Sequence, residues 1–141
     1  MPVITVFSGS YCNEKKIVQE IGSRTGYRQL IDQDIVAEAS RLSGIPENKI
    51  VRVFSDKVSV FNRLTHERER SLAYLRMALA TCLADDALIV SGFAGQLIPA
   101  DIRHVLRICL IADMTFRVAT AEKELKVSSS EANKIVHRDD V

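Results

Sequence analysis

Cysteine is scarce in this sequence. Cys12, Cys82 and Cys109 are odd in number and far apart, and no C-x-x-C or Cys/His spacing accompanies them, which argues against a zinc site or a disulfide framework. Cys82 and Cys109 lie inside apolar stretches and read as small core residues, whereas Cys12 falls in a loop region and suits an alkylation test. A charge excess is lacking as well: 19 Lys and Arg against 18 Asp and Glu leave a net charge of +1. No basic field invites nucleic acid, so none is expected as a partner. No apolar run approaches the ~20 residues of a membrane span. Met1-Pro2-Val3-Ile4-Thr5-Val6 has no basic segment ahead of a long apolar one, so a secretory leader is not expected either. The cytoplasm is the compartment these absences leave. Internal repeats, linkers and low-complexity tracts are also missing, and residues 1–141 read as a single domain.

What is present is ordinary for a globular protein: 47% hydrophobic and 26% charged residues. A chain of this length buries roughly two-thirds of the surface its unfolded form exposes, enough for a core without a staple.

Val3-Ile4-Thr5-Val6-Phe7 is a β-branched and aromatic run opening into Ser8-Gly9-Ser10, the pattern of a buried strand and a turn. Ile17, Val18 and Ile21 then repeat at helical spacing, with Gly26 as a stop. Tyr27 to Ile31 reads as a second strand, and Asp32 or Asp34 caps a helix carrying Ile35, Val36, Ala39 and Leu42. Ser43-Gly44-Ile45-Pro46 is a stop followed by a start. Ile50, Val51, Phe54, Val58 and Phe61 continue at helical spacing with a break near Ser55-Asp56. Leu72, Leu75, Leu79 and Cys82 mark a longer helix from about Thr65. Ala87 to Ser91 and Val105 to Ala112 are two further strands. Asp113 caps the helix after the second, and Ser128 with Glu131 has the spacing of a capping box before a last helix. Four strands separated by helices predict an α/β fold, a mainly parallel sheet with helices on both faces.

In such a sheet ligands bind at the carboxyl ends of the strands. The residues to examine are Ser8-Gly9-Ser10, Asp32, Ser91-Gly92-Phe93-Ala94-Gly95, and Asp113 with Arg117.

Over essentially the whole chain, the order and spacing of these segments resemble the cytidylate-kinase-like family of P-loop nucleoside monophosphate kinases. Val3 to Tyr27 is similar to its strand, glycine-rich loop and helix ending in Gly-Tyr. Leu30-Ile31-Asp32 resembles the segment that meets the acceptor nucleotide, and Ser43 to Glu47 the connector after it. Ala87 to Gly95 resembles a strand with a Gly-Arg-Gly type turn, and Arg107 to Asp140 the strand, arginine-bearing helix and S-x-x-E-A helix before an aspartate. The resemblance implies a three-layer P-loop-like sheet, a nucleotide partner, and ATP with Mg²⁺ as cofactors. It assigns Ser8, Gly9, Ser10, Asn13, Lys15 and Lys16 to the phosphates, Asp32, Gly92 and Phe93 to the substrate, and Lys15 and Arg117 to catalysis. It assigns no protein ligand to a metal.

Three departures qualify that assignment. A phosphate loop needs glycines for its curl, a Lys toward the phosphates and a hydroxyl on magnesium. Here Tyr11-Cys12-Asn13-Glu14 stands where the family has its glycines, and tyrosine and cysteine resist positive φ. Glu14 brings a carboxylate to the phosphate position, and Lys15 and Lys16 are off the G-K-[ST] spacing. Phe93 replaces the arginine of the turn, a role no phenyl ring performs. The sequence ends one residue after Asp140, so the lid's second half and the last strand are absent from it, as expected for the N-terminal part of a longer protein or for a short one.

Simpler readings stand beside these. Lys15 and Lys16 fit a solvated first helical turn, Arg117 an exposed helix position, Asp32 a helix N-cap, and Gly92 with Gly95 a tight turn. His66-Glu67-Arg68-Glu69-Arg70 lacks the second histidine of H-E-x-x-H and reads as alternating charge on a solvated helix. His104 and His137 have no partners at ligand spacing. The expected function is a degenerate nucleotide-binding or regulatory module without efficient phosphoryl transfer. The alternatives are an active CMP-type kinase and an assembly module that binds no nucleotide, whose open sheet edge is covered by a homodimer or a further domain.

Overall fold

The computed structural model describes residues 3–55, 66–85 and 87–140. Val3–Ser8 forms β1, Glu14–Thr25 α1, Arg28–Ile31 β2 and Asp32–Ser43 α2. The short α3 (Glu47–Ile50) runs into a 3₁₀ turn at Val51–Phe54, and Glu67–Cys82 forms α4. Leu88–Ser91 is β3, a second 3₁₀ turn covers Ala94–Leu97, and β4 (Val105–Leu110), α5 (Met114–Leu125) and α6 (Ser129–Asp139) follow.

The described strands form one parallel sheet in the order β2-β3-β1-β4. Ile4 faces Ile89 on one side and Leu106 on the other. The twofold alternation of β1 sorts its side chains between two layers. Val3, with Leu88 and Val90 of β3, packs against Ile35, Val36 and Ala39 of α2 and Leu75, Ala78 and Leu79 of α4. Ile4 and Val6 point the other way, onto Val18 of α1 with Ile89. Each fully buried aliphatic side chain in these layers contributes roughly 1.5–3 kcal/mol. A third cluster joins α5 to α6 through Ala121, Ala132 and Val136, and the ring of Tyr11 packs against it.

Several helix boundaries lie where the sequence places them. Gly26 and Gly44 end α1 and α2 in the left-handed conformation, each donating its N–H to the carbonyl four residues earlier. Asp113 Oδ1 accepts from Phe116 N at 2.8 Å, and Ser128 Oγ from Glu131 N at 3.3 Å.

Other details differ. Helix α4 begins at Glu67 with His66 as its N-cap at φ 48°, and Thr65, where the sequence suggests a start, lies outside the described residues, as do Val58, Phe61 and the Asp56 half of the break. Strand β4 stops at Leu110, leaving Ile111 86% exposed. Cys109 is exposed rather than a core residue, because it faces an open cleft beside Thr5, Ile98 and Arg107 at the sheet's edge. Cys82 is half-buried and Cys12 is buried. Among the described residues no helix is long and apolar enough to cross a membrane.

Candidate functional site

All four loops singled out by strand topology gather at the carboxyl edge of the sheet, around the segment joining β1 to α1. That segment leaves β1 with Gly9 N bonded to Leu110 O at 3.1 Å. Ser8 Oγ donates to Gly9 O at 2.8 Å, and the Cys12 thiol faces Ser10 O at 3.6 Å. Tyr11 has φ 58° and Asn13 φ 62°, both left-handed.

The expectation that tyrosine resists positive φ is therefore corrected at Tyr11. A lone non-glycine residue in this region costs about 1–2 kcal/mol. Tyr11 recovers it through tertiary contacts: its ring packs on the α5–α6 cluster and its hydroxyl donates to Asp139 Oδ2 at 3.1 Å. Burial, and then the bond to Asp139, raise the pKa of the phenol. The loop keeps a curled backbone without glycine at either position.

Arg117 of α5 reaches back to this loop. Its Nε donates to Ser10 O at 2.8 Å and its Nη2 to Ser10 Oγ at 2.5 Å. The same guanidinium holds both carboxylate oxygens of Asp140, at 2.9 and 2.5 Å, in the forked geometry that arginine uses for carboxylates and phosphates. Its side chain is only 12% exposed. The exposed-helix reading of Arg117 is thus overturned by contacts to residues far away in sequence. The hydrogen bond from Arg117 holds the Asp140 carboxyl below the usual aspartate range, and the pair raises the guanidinium in turn.

Asp32 does not cap α2. Asp34 does so, accepting from Ile31 N at 2.9 Å. The Asp32 carboxylate instead crosses to the turn after β3, accepting from Phe93 N at 2.9 Å and Ala94 N at 2.7 Å. Gly92, at φ 107°, leaves the space this requires. Gly95 packs close to the Thr5 side chain.

Phe93 is 50% exposed and forms a row of rings, edge-on to Phe7 at 5.4 Å and stacked near Phe54 at 5.9 Å. The row lines an open cleft of about 500 Å³ with Leu72, Gln96 and Arg68. A second cleft of about 430 Å³ lies between α1 and α2, lined by Glu14, Lys15, Gln29, Asp32 and Gly92. There burial, and then the nearby Asp32 carboxylate, raise the pKa of Glu14. Lys15 and Lys16 are exposed on the first turn of α1.

Of the residues expected to hold phosphates, Ser10 and Asn13 share the curled loop with Ser8 and Gly9, and Lys15 and Lys16 follow at its exit. Arg117 joins them through Ser10. Asp32, Gly92 and Phe93 form a neighbouring group tied together by the Asp32 carboxylate. Sequence reasoning missed Asp139 and the role of Tyr11, and it placed Asp140 without its partner. No local signal marks those three, because each contact depends on how the α5–α6 hairpin docks.

The donor set suits an oxyanion better than a magnesium-bound triphosphate. The curled backbone and two lysines offer donors and positive charge. No serine or threonine follows the lysines to reach a magnesium ion, and Glu14 faces the same opening. Among the described residues no group of three or more His, Cys, Asp and Glu side chains is arranged to hold a metal.

A four-stranded parallel sheet in the order β2-β3-β1-β4, with helices packed on both of its faces, defines the α/β class of fold. The model of the cytidylate kinase-like family matches residues 3–141, and the chain belongs to that family. No curated protein matches it significantly. Among solved structures, an uncharacterized protein from Eubacterium ventriosum is similar over 99% of this chain and 73% of its own, with a TM-score of 0.65 and 10% identity. TT1252 from Thermus thermophilus aligns over 93% of this chain and 76% of its own, at 20% identity and a TM-score of 0.46.

Proposed function

We propose that this cytidylate kinase-like domain binds a nucleotide or related phosphorylated ligand at the β1–α1 loop without transferring phosphate efficiently. The observation that carries this reading is the curled β1–α1 loop with Lys15 and Lys16 exposed at its exit beside the Glu14 carboxylate. Phosphoryl transfer relies on cations placed around the moving group, and each lost contact removes several kcal/mol of transition-state stabilisation. Phe93 supplies a ring where the family turn carries an arginine, and Glu14 sets a carboxylate at the loop's exit. The curled backbone with Lys15 and Lys16 still suits an anion. Phosphate-bearing ligands would meet the loop amides and both lysines, with the aromatic cleft beside them for an apolar or planar group.

Calorimetric titration with ATP–Mg²⁺ and then CMP tests the reading, with a transfer assay at high protein concentration alongside. Saturable binding that Lys15→Ala and Lys16→Ala weaken, with no CDP formed, is the expected result. CDP formation that depends on Lys15 or Lys16 would establish an active kinase instead, and absence of binding at millimolar nucleotide would remove the nucleotide reading.

A separate observation favours assembly as a second role. Among the described residues β4 pairs only with β1, and Leu106 on it is 56% exposed. An open strand edge is a template for pairing with another chain. Light scattering over a concentration series tests it, and a constant monomer mass would rule out self-pairing.

A further inference from the structure

We propose that Asp140 is a tethered stand-in for the ligand: its carboxylate occupies the oxyanion position on Arg117 and Ser10, and a phosphate group enters by displacing it. This rests on the reading of the β1–α1 loop as a phosphate site and adds how that site is regulated.

The geometry carries the inference. Arg117 grips Asp140 with two parallel N–H donors, as the guanidinium fork grips a phosphate. The same Nη2 also donates to Ser10 Oγ, and that hydroxyl lies 3.5 Å from Asp140 Oδ1. Guanidinium, hydroxyl and carboxylate thus meet at one point on the curled loop. A ligand oxygen there would find the donors already oriented, with Nε fixed on Ser10 O.

The carboxylate is also held against its local preference. Asp139 and Asp140 stand at the C-terminal end of α6, where the helix dipole favours cations and disfavours acids. Within the helix only the nearby His137 favours the Asp140 carboxylate, and the hydrogen bonds described for it come from Arg117 and Ser10. Asp139 is held in parallel by Tyr11 and by its neighbour Arg138. Two consecutive acids at a helix end therefore clip the hairpin onto Ser10 and Tyr11, adjacent residues of the loop. Releasing Asp140 frees the fork while Tyr11 and Asp139 keep the hairpin attached. Displacement then needs only a side-chain rotation, in keeping with the 39% exposure of Asp140.

A tethered competitor lowers apparent affinity by the fraction of time it leaves the site open. The test is calorimetric titration of inorganic pyrophosphate into the wild-type protein, Asp140→Asn and the charge-matched control Glu122→Gln. Asp140→Asn should bind about tenfold more tightly than wild type, while the control stays within about twofold. Equal affinity for Asp140→Asn and the control, or weaker binding by Asp140→Asn, overturns the stand-in and leaves the phosphate reading intact. No binding by any of the three overturns both. A measurement on the unmutated protein decides the matter independently: the carbon resonance of the Asp140 carboxyl, titrated with and without saturating pyrophosphate. Displacement moves its titration back toward the ordinary aspartate range, and an unchanged curve in the presence of bound pyrophosphate overturns the proposal. ATP in place of pyrophosphate shows whether the displacing oxyanion also comes from a nucleotide.

Discussion

A side-chain carbon on residue 92 would stand 2.6 Å from Cγ of Asp32, so Gly92 and Asp32 fit only as a pair. The φ of 107° at Gly92 adds a backbone conformation that residues with a side chain rarely adopt. Gly92→Ala is therefore expected to destabilise the domain by about 2–4 kcal/mol, measured by urea unfolding. Adding Asp32→Ala should relieve the clash without restoring wild-type stability, because the backbone strain remains and the amides of Phe93 and Ala94 lose their acceptor. A loss below about 0.5 kcal/mol for the single variant would show that the turn relaxes freely.

Asp32→Asn leaves one acceptor for two backbone donors. The amides of Phe93 and Ala94 then compete for it, and the expected loss is about 1–3 kcal/mol. Hydrogen exchange at those two amides is the specific readout, since both should exchange faster than in wild type while the amides of α6 do not. Uniform change across the domain would mean that Asp32 acts on global stability alone.

Glu14 makes the domain sensitive to pH with a defined sign. Because burial and Asp32 raise its pKa, the folded state keeps this proton over an interval in which the unfolded chain has released it. The folded state then binds more protons, so stability falls as pH rises through that interval. The penalty is absent below the ordinary glutamate range and complete above the raised pKa. Glu14→Gln should raise the melting temperature near neutral pH and flatten the descent just above the glutamate range. Thermal melts between about pH 4 and pH 7 check this, and parallel curves for the two proteins would exclude it.

The two left-handed residues of the loop should answer glycine substitution in opposite directions. Asn13→Gly relieves backbone strain and removes a side chain that caps nothing, so a gain of up to about 1 kcal/mol is expected. Tyr11→Gly relieves similar strain but strips a ring from the α5–α6 cluster and a bond from Asp139, for a net loss of about 2 kcal/mol. Chemical denaturation of both variants distinguishes them. A gain at both positions would mean that the Tyr11 ring does not fasten the hairpin.

The strands and most helix ends were legible because their causes are local. Val3 to Phe7 and Leu88 to Val90 are β-branched or apolar runs that only a buried strand explains well, and Gly26 and Gly44 sit where a left-handed stop is needed. The site was legible as a set of loops, because the carboxyl edge of a parallel sheet follows from strand order. Its internal wiring was not. Asp32 looks like a helix cap in sequence, and only the adjacency of β2 and β3 brings it to the amides of Phe93 and Ala94. Tyr11 breaks a local rule that tertiary packing overrides. Cys109 sits in a run as apolar as a buried strand, yet it lies on an edge strand with an open face, a distinction that hydrophobicity alone does not carry.

Strand β1 sits between β3 and β4, and both partners come late in the chain. As the polypeptide emerges during synthesis, its first strand has no neighbour to bond until Leu88 to Ser91 appear, while α1, β2 and α2 must wait without a finished sheet beneath them. The α5–α6 hairpin closes from short-range contacts alone. Non-local pairing of this kind slows folding more than local contacts do. The β1–α1 loop is fastened by Arg117 and Asp139 of the α5–α6 hairpin, 107 and 128 residues away from Ser10 and Tyr11, so those contacts form only once that distant segment has been made and docked.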